Sequence, residues 1–452
     1  MPCLSWPQAM GVQQEPRSGM GVLFLVVLID LIGFTLVIPF LTYFVQDLAT
    51  GDGFIEIGQR DLWVRIMLAA YTFGQFLFTP ILGSLSDRIG RRPVIMLGLI
   101  SNTIFFIAFG LSGSLWFALI VRFLAGAGNG NIAVARAYIG DVSSPAQLKG
   151  RMGMIGAAFG LGFMIGPFLG GVLTDPYTNF GGFFDTSWWQ IHPYFLPCLV
   201  AGLLSAISFI LAIRQLPESL PPESRTKSET KGGAVKQIAG NLIGIRDLPA
   251  SVRILIIVNA LFLVAFTIMH TTFILFTAMP IDQGGLQFDA RVNGYIFAFV
   301  GLVGVFVQGG FMRSQMAERM NTRKMMVFGI LVCGLGLGWI PYLEPEPFFI
   351  ILIPMACIAL GNGLFQPTQN TLLTLEARAS QLDLGRVMGA QEGFGALSRI
   401  IGPIVAAFVW AETVDGTGIW TYHTVFRLSC ILTIIAVLSQ ISLRLTNVQE
   451  DE

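Results

Sequence analysis

Residues 83–93 read GSLSDRIGRRP. Asp87, Arg88, Arg91 and Arg92 fall within six residues, bracketed by Gly83 and Gly90. Long apolar runs lead into the segment from Arg65 and away from it after Pro93. A helix needs about 20 apolar residues to cross a bilayer, and each flank supplies a run of that order. The segment reads as a tight cationic turn between two membrane spans. A turn that only sets topology needs its cations. The acid inside the basic cluster asks for a second explanation.

The whole chain fits this setting. Its 452 residues are 54% hydrophobic and 12% charged, where a soluble chain carries about 25% charge. Mean hydropathy is +0.71. The 52 glycines suit helices that must approach closely in lipid, which offers no hydrophobic drive for association. Apolar runs predict twelve spans, near 20–46, 61–83, 94–112, 115–139, 151–174 and 193–214, then 252–278, 291–312, 325–342, 348–374, 385–410 and 421–445. Residues 215–250, with Pro217, Pro221, Pro222 and a Ser/Thr/Lys/Glu run, have the composition of a polar connector. The expected organisation is a cytoplasmic segment 1–19, a six-helix bundle 20–214, a linker 215–250, a second bundle 251–445 and a tail 446–452.

Charge orients the chain. Counted with the N-terminus in the cytoplasm, the inner segments hold 20 Lys and Arg, the outer segments and their helix edges three. This positive-inside bias predicts cytoplasmic termini, in a bacterial inner membrane or a eukaryotic membrane. Zero net charge gives no pull towards nucleic acid. The five cysteines form no C-x-x-C pair. H-E-x-x-H, G-x-x-x-x-G-K-[ST] and G-x-S-x-G do not occur, so ATP as energy source, a metal, a cofactor and an enzyme activity are not expected. The expected partners are the bilayer and a small solute, with the monomer as the working unit.

The halves resemble each other. Gly128-Asn129-Gly130 returns as Gly361-Asn362-Gly363, 233 residues later, and Gly150-Arg151 as Gly385-Arg386, 235 later. Phe159-Gly160 … Gly166-Pro167 matches Phe394-Gly395 … Gly402-Pro403 with one residue inserted. A duplicated six-helix unit with a site near the midplane between parallel halves is a transporter plan.

Four ordered signatures carry a resemblance. Gly83 to Arg92 resembles the loop 2–3 signature of the major facilitator superfamily. Leu119-x-x-Arg122-x-x-x-Gly126-x-Gly128 looks like its span 4 signature. Gly162-x-x-x-Gly166-Pro167-x-x-Gly170-Gly171 looks like the span 5 signature of its antiporter branches. Asp30-x-x-Gly33 … Ile38-Pro39 is similar to the span 1 pattern of twelve-span drug exporters, including tetracycline exporters. The resemblance implies an all-α major facilitator fold and a carrier that alternates between inward-open and outward-open states. In the drug-exporter branch, proton influx drives export of amphipathic molecules. Two departures stand out: spans 3 and 9 lack the further acids of those exporters, and the loop 8–9 copy, Gly309 to Lys324, lacks the G-x-x-x-D core. An importer or facilitator of a metabolite, and a transport-inactive receptor or assembly factor, remain alternatives on this scaffold.

Within the spans, ionisable groups are costly. Asp30 lies about a third of the way into span 1, where a carboxyl costs about 2.5–3.5 kcal/mol on insertion scales. It either ties neighbouring helices or carries a proton, with Arg122 the expected partner. Arg122 stays charged and must face the interior, as an ion-pair partner or in contact with coupling groups or substrate. Glu392 and Arg399 share roughly one face of span 11; the resemblance puts that span beside the cavity, making Glu392 a second proton-coupling candidate. Phe34, His270, Gln308, Asn362, Gln366, Gln369, Asn370 and Arg399 are candidates for lining the cavity. The resemblance further implies that Gly83, Asp87, Arg88, Gly90, Arg91, Arg92 and Asp141 form a conformational latch, with Asp87 at the start of span 11 in the outward-facing state. The glycines around Pro167 are read as close packing with a kink, or as a seal that limits leak.

Overall fold

The computed structural model describes residues 18–143, 145–225, 244–382, 384–414 and 421–441. Every regular element among them is helical. Span 1 is Ser18–Leu36 continued by Ile38–Gly51, span 2 Ile57–Ile89, and span 3 Arg91–Gly110. Span 4 is Leu115–Gly128 and Asn131–Val142, span 5 Pro145–Leu173, and span 6 Phe195–Gln215. In the second half, span 7 is Ala250–Ala278 and span 8 Ala290–Val305 with a π turn at Phe306–Gly310. Thr322–Trp339, Phe349–Ala379, Leu384–Val414 and Tyr422–Ile441 are spans 9 to 12. Among the described residues, eleven are long and apolar enough to cross a membrane, and Ala157–Leu173 within span 5 is a shorter apolar helix.

Two spans expected as single helices are interrupted. Span 1 breaks at Val37, just before Ile38-Pro39. Proline has no N–H for the ladder and its ring crowds the carbonyl four residues earlier. Span 4 breaks at Asn129-Gly130. The matching Gly361-Asn362-Gly363 lies within the unbroken helix of span 10.

Helix pairing follows the repeat. Span 1 packs on 5 and 6, span 2 on 4, and span 3 on 6; likewise 7 packs on 11 and 12, 8 on 10, and 9 on 12. The halves meet through spans 5 and 8 and through spans 2 and 11. These two pairs exchange under the same repeat. Loop 2–3 marks the basic end of the bundle; the opposite end is called the far end below. The apolar core differs between them. Far-end residues of the first half, such as Phe40, Phe44, Val64 and Phe109, belong to one core with Phe273, Phe276, Ile296 and Trp410 of the second half. Basic-end residues of the first half, including Leu23, Leu82, Ile95 and Tyr138, form a separate core.

Glycine decides how close these helices come. A Cβ at Gly162 would lie 2.8 Å from Leu31 Cβ, one at Gly166 1.9 Å from Thr35 Oγ1, and one at Gly170 1.9 Å from the Leu36 carbonyl oxygen. These glycines, four residues apart, give span 5 a bare stripe against span 1. Thr35 Oγ1 uses the approach to donate to the Gly162 carbonyl at 2.8 Å. Gly171 faces the other way: its Cβ would meet the Ala290 carbonyl at 2.7 Å and Gly294 Cα at 2.9 Å, on span 8. Gly170→Val should therefore push span 1 off span 5 and cost about 1–3 kcal/mol by overpacking, read as a lower thermal unfolding midpoint of the purified protein. An unchanged midpoint would show that the backbones need not be this close.

Candidate functional site

Span 1 delivers Asp30 to a point between spans 3 and 4, where it is 1% exposed. Asn102 of span 3 donates to its Oδ1 through a very short contact. Asn131, first residue of span 4 beyond the break, lies 3.4 Å from the same oxygen. The break matters to this geometry. It leaves Asn129 Nδ2 donating to the Tyr71 hydroxyl of span 2, while Asn131 turns to Asp30. Gly98 of span 3 has no room for a Cβ, which would lie 2.0 Å from Asn131 Oδ1.

Arg122 sits on the far side of the break and is 5% exposed. The expected pairing with Asp30 is not what the fold makes. The Arg122 guanidinium carbon lies 4.6 Å from the centre of the Tyr71 ring and 5.2 Å from that of Phe109. Ring faces attract a cation through their quadrupole, more strongly when desolvated. Phe34 stacks on the same Tyr71, ring centres 5.4 Å apart. Arg122 and Phe34 therefore meet on the Tyr71 ring, while Asn129 and Asn131, on either side of the break, serve the Tyr71 hydroxyl and Asp30.

The second-half candidates divide. Gln369 is fully buried and its Nε2 donates to the Leu255 carbonyl at 2.7 Å, tying span 10 to span 7. Asn370 is exposed and accepts from Gln391 Nε2 at 2.8 Å. Asn362, Gln366 and Arg399 are half-buried. Gln308 is half-buried within the π turn of span 8, its Cγ near Gly363 of span 10. The His270 ring lies beside Phe266 and Phe297. The Glu392 side chain falls outside the described residues.

At the basic end, the quoted turn is built as a knot. Gly90 has φ 112°, and a Cβ there would lie 2.3 Å from Glu218 Oε2. The Glu218 carboxylate accepts from the Arg91 and Arg92 backbone N–H groups at 2.8 and 3.2 Å, capping span 3. An anion at a helix N-terminus meets the dipole and the unpaired N–H groups together. Arg91 is buried and joins Asp87 at 2.6 Å to Asp141 at 3.0 Å; Arg92 donates to the Ile213 carbonyl at 2.5 Å. Gly83 has open space around it, and Arg88 is exposed. The Arg91 bridge to Asp141 matches the expected latch network. Asp87 pairs within its own turn; side chains at 383–386, the start of span 11, lie outside the described residues. Glu218 had no local signal, because 127 residues separate it from the helix it caps.

At the far end, hydrogen bonds cross between the halves. The Tyr43 hydroxyl donates to the Phe288 carbonyl at 2.5 Å and accepts from Asn293 Nδ2 at 2.8 Å. Trp410 of span 11 donates through Nε1 to Asp61 Oδ2 at 2.7 Å. Asp61 is 4% exposed. No motif surrounds it, and at the margin of span 2 it reads as a loop-edge acid.

Comparison with known proteins places this geometry. Tetracycline resistance protein, class B, of Escherichia coli is 24% identical over 421 residues, covering 93% of this chain and 96% of that protein. Major facilitator superfamily domain-containing protein 10 of Mus musculus is 29% identical over 426 residues, 86% of each. Among solved structures, the human organic anion transporter MFSD10 superposes with a TM-score of 0.66 at 24% identity, covering 94% of this chain and 100% of that chain. The D-xylose-proton symporter gives 0.70 at 14%, with 93% and 96% covered. A model described as Major Facilitator Superfamily matches residues 23–403. On that match and on its twelve-span, internally repeated fold, the chain belongs to the Major Facilitator Superfamily of membrane transporters.

Proposed function

We propose that this transporter exports small amphipathic molecules in exchange for protons, by alternating access. The observation that carries the reading is Asp30: a carboxyl 1% exposed inside a membrane-spanning bundle, held by two amides from spans 3 and 4. Burying a charge in such a place is costly unless it is neutralised or fully paired. Asn102 and Asn131 offer neutral hydrogen bonds to either protonation state, so the group can exchange a proton without losing its place. The curated tetracycline resistance relatives support export of a drug-like solute.

In this reading the basic end faces the cytoplasm with both termini. Units 20–214 and 251–445 rock about spans 2, 5, 8 and 11, joined by 215–250. The far-end bonds then describe a closed outer side. The latch engages when the basic end closes instead, with Asp87 released from Arg91 to the start of span 11.

A second reading concerns substrate charge. Arg122 rests on ring faces; an anionic headgroup entering from the half-buried side at Phe34 would give the cation a charged partner, with the Phe34 ring against an apolar body.

Asp30→Asn should abolish accumulation driven by a pH gradient in membrane vesicles while exchange of solute down its own gradient persists. Unchanged gradient dependence would remove Asp30 from coupling. Arg122→Gln should raise the KM of anionic solutes by roughly 10- to 100-fold, the loss of one hydrogen bond to a charged group, and leave neutral solutes little changed. Equal loss for both would reject the anion reading. Asp87→Asn should slow transport while the protein remains inserted and folded; wild-type turnover by that variant would show that the latch has no role.

A further inference from the structure

The far-end contacts of the two halves are copies of one device. In the first half, Gln46 Nε2, near the end of span 1, donates to Asp61 Oδ1 at 2.8 Å, near the start of span 2. In the second half, Thr277 Oγ1, at the end of span 7, donates to Asn293 Oδ1 at 2.9 Å, near the start of span 8. Asp61 and Asn293 are 232 residues apart, and Gln46 and Thr277 are 231 apart. Both offsets fall beside those of the repeat. Asp61-x-Trp63-Val64 is answered by Asn293-x-Tyr295-Ile296. At each position the second side-chain atom reaches across to the other half: Asp61 Oδ2 accepts from Trp410, and Asn293 Nδ2 donates to Tyr43. Asn293 is fully buried and Asp61 is 4% exposed.

The side chains are nearly identical in shape and differ in chemistry. The amide of Asn293 never titrates. We propose that Asp61 and Asn293 are paired locks of the outer gate, and that Asp61 is a proton-binding site whose occupancy, set from the outer side, favours the closed gate. The proposal rests on the alternating-access reading and on the orientation given above. When spans 2 and 11 separate, water reaches the Asp61 carboxylate. When they close, two neutral N–H donors replace only part of that hydration, and burial favours the uncharged carboxyl. A proton from outer water forms the O–H bond, and the acid keeps both neighbours: its carbonyl oxygen accepts from Trp410, and its hydroxyl donates to the amide oxygen of Gln46 after that amide turns over.

The surrounding groups are few. On its own helix, Arg60 precedes Asp61 and Arg65, itself 2% exposed, follows one turn on. Span 1 brings neutral Gln46, while the next residue, Asp47, accepts from the Tyr194 hydroxyl at 2.6 Å. Span 11 brings the neutral indole of Trp410; Glu412, two residues on, has its side chain outside the described residues.

The test measures the gate directly on purified protein, with no substrate and no gradient, so it stands apart from whether the solute is a drug. Nitroxides at Ile55→Cys and Ile281→Cys, on exposed far-end loops of opposite halves, report the gate by pulsed electron spin distance measurement. The five native cysteines are replaced, and Asp30→Asn is included to remove the buried acid of span 1. Lowering pH should shift the distribution towards the short distance by roughly tenfold or more in population ratio, the scale of one hydrogen bond to a charged group. Asp61→Asn should hold the short distance at every pH. Trp410→Phe, which removes the donor, should shift the ratio roughly tenfold towards the long distance. A wild-type distribution that ignores pH, or moves the opposite way, overturns the proposal. So does a pH response that survives Asp61→Asn. If Asp61→Asn does not fold, Trp410→Phe decides: no shift towards the long distance overturns the lock.

Discussion

Backbone contact along span 5 carries this architecture. In lipid, apolar helices gain little by leaving the solvent for each other, so association depends on packing and interhelical hydrogen bonds. Span 5 meets that requirement on two sides. Gly162, Gly166 and Gly170 bring it against span 1 of its own half, and Gly171 brings it against Ala290 and Gly294 of the other. One helix thus holds an intra-half contact and an inter-half contact at once. At Gly171 and Gly294 the inter-half contact is backbone to backbone, and beside it Phe168 of span 5 meets Tyr295 of span 8 ring to ring, centres 6.2 Å apart.

Against that apolar frame, each buried polar group is accommodated differently. Asp30 is held by amides, Arg122 by ring faces, Gln369 by a carbonyl, and Thr35 by the backbone that glycine lets near. The break in span 4 is what lets one short stretch serve two neighbours, Asn129 for Tyr71 and Asn131 for Asp30. Its counterpart in span 10 remains helical. The duplicated halves therefore differ where the first half gathers its acid, phenol and guanidinium.

The two ends of the bundle also differ. At the far end a single apolar core and a set of hydrogen bonds run through both halves. At the basic end the first half has a core of its own, and Asp87 bonds within its turn. Closing one end while the other stays separate is the asymmetry an alternating carrier requires. It arises in a chain whose two halves follow nearly the same plan of helix pairing.

Much of this was legible in the sequence, for reasons of scale. Span number follows from bilayer thickness and hydropathy, the duplication from repeated glycine and asparagine spacings, and the family from ordered signatures that each lie within one span or loop. Asp30 and Arg122 stood out because lipid makes any mid-span charge conspicuous. Local spacing reaches no further than one helix. By charge alone Asp30 pairs with Arg122, where the fold supplies Asn102, Asn131 and aromatic faces instead. Gln369 is a cavity candidate by residue type, and only the fold shows its amide tying spans 7 and 10. Glu218 and Asp61 carry no local signal, because Arg91 and Trp410 lie 127 and 349 residues away from them. The sequence by itself determined a membrane protein of two similar six-span halves and which residues are expensive to bury. Only the tertiary structure decided what each of them touches, because those partners come from other helices, and the register between helices is set by packing that no local pattern encodes.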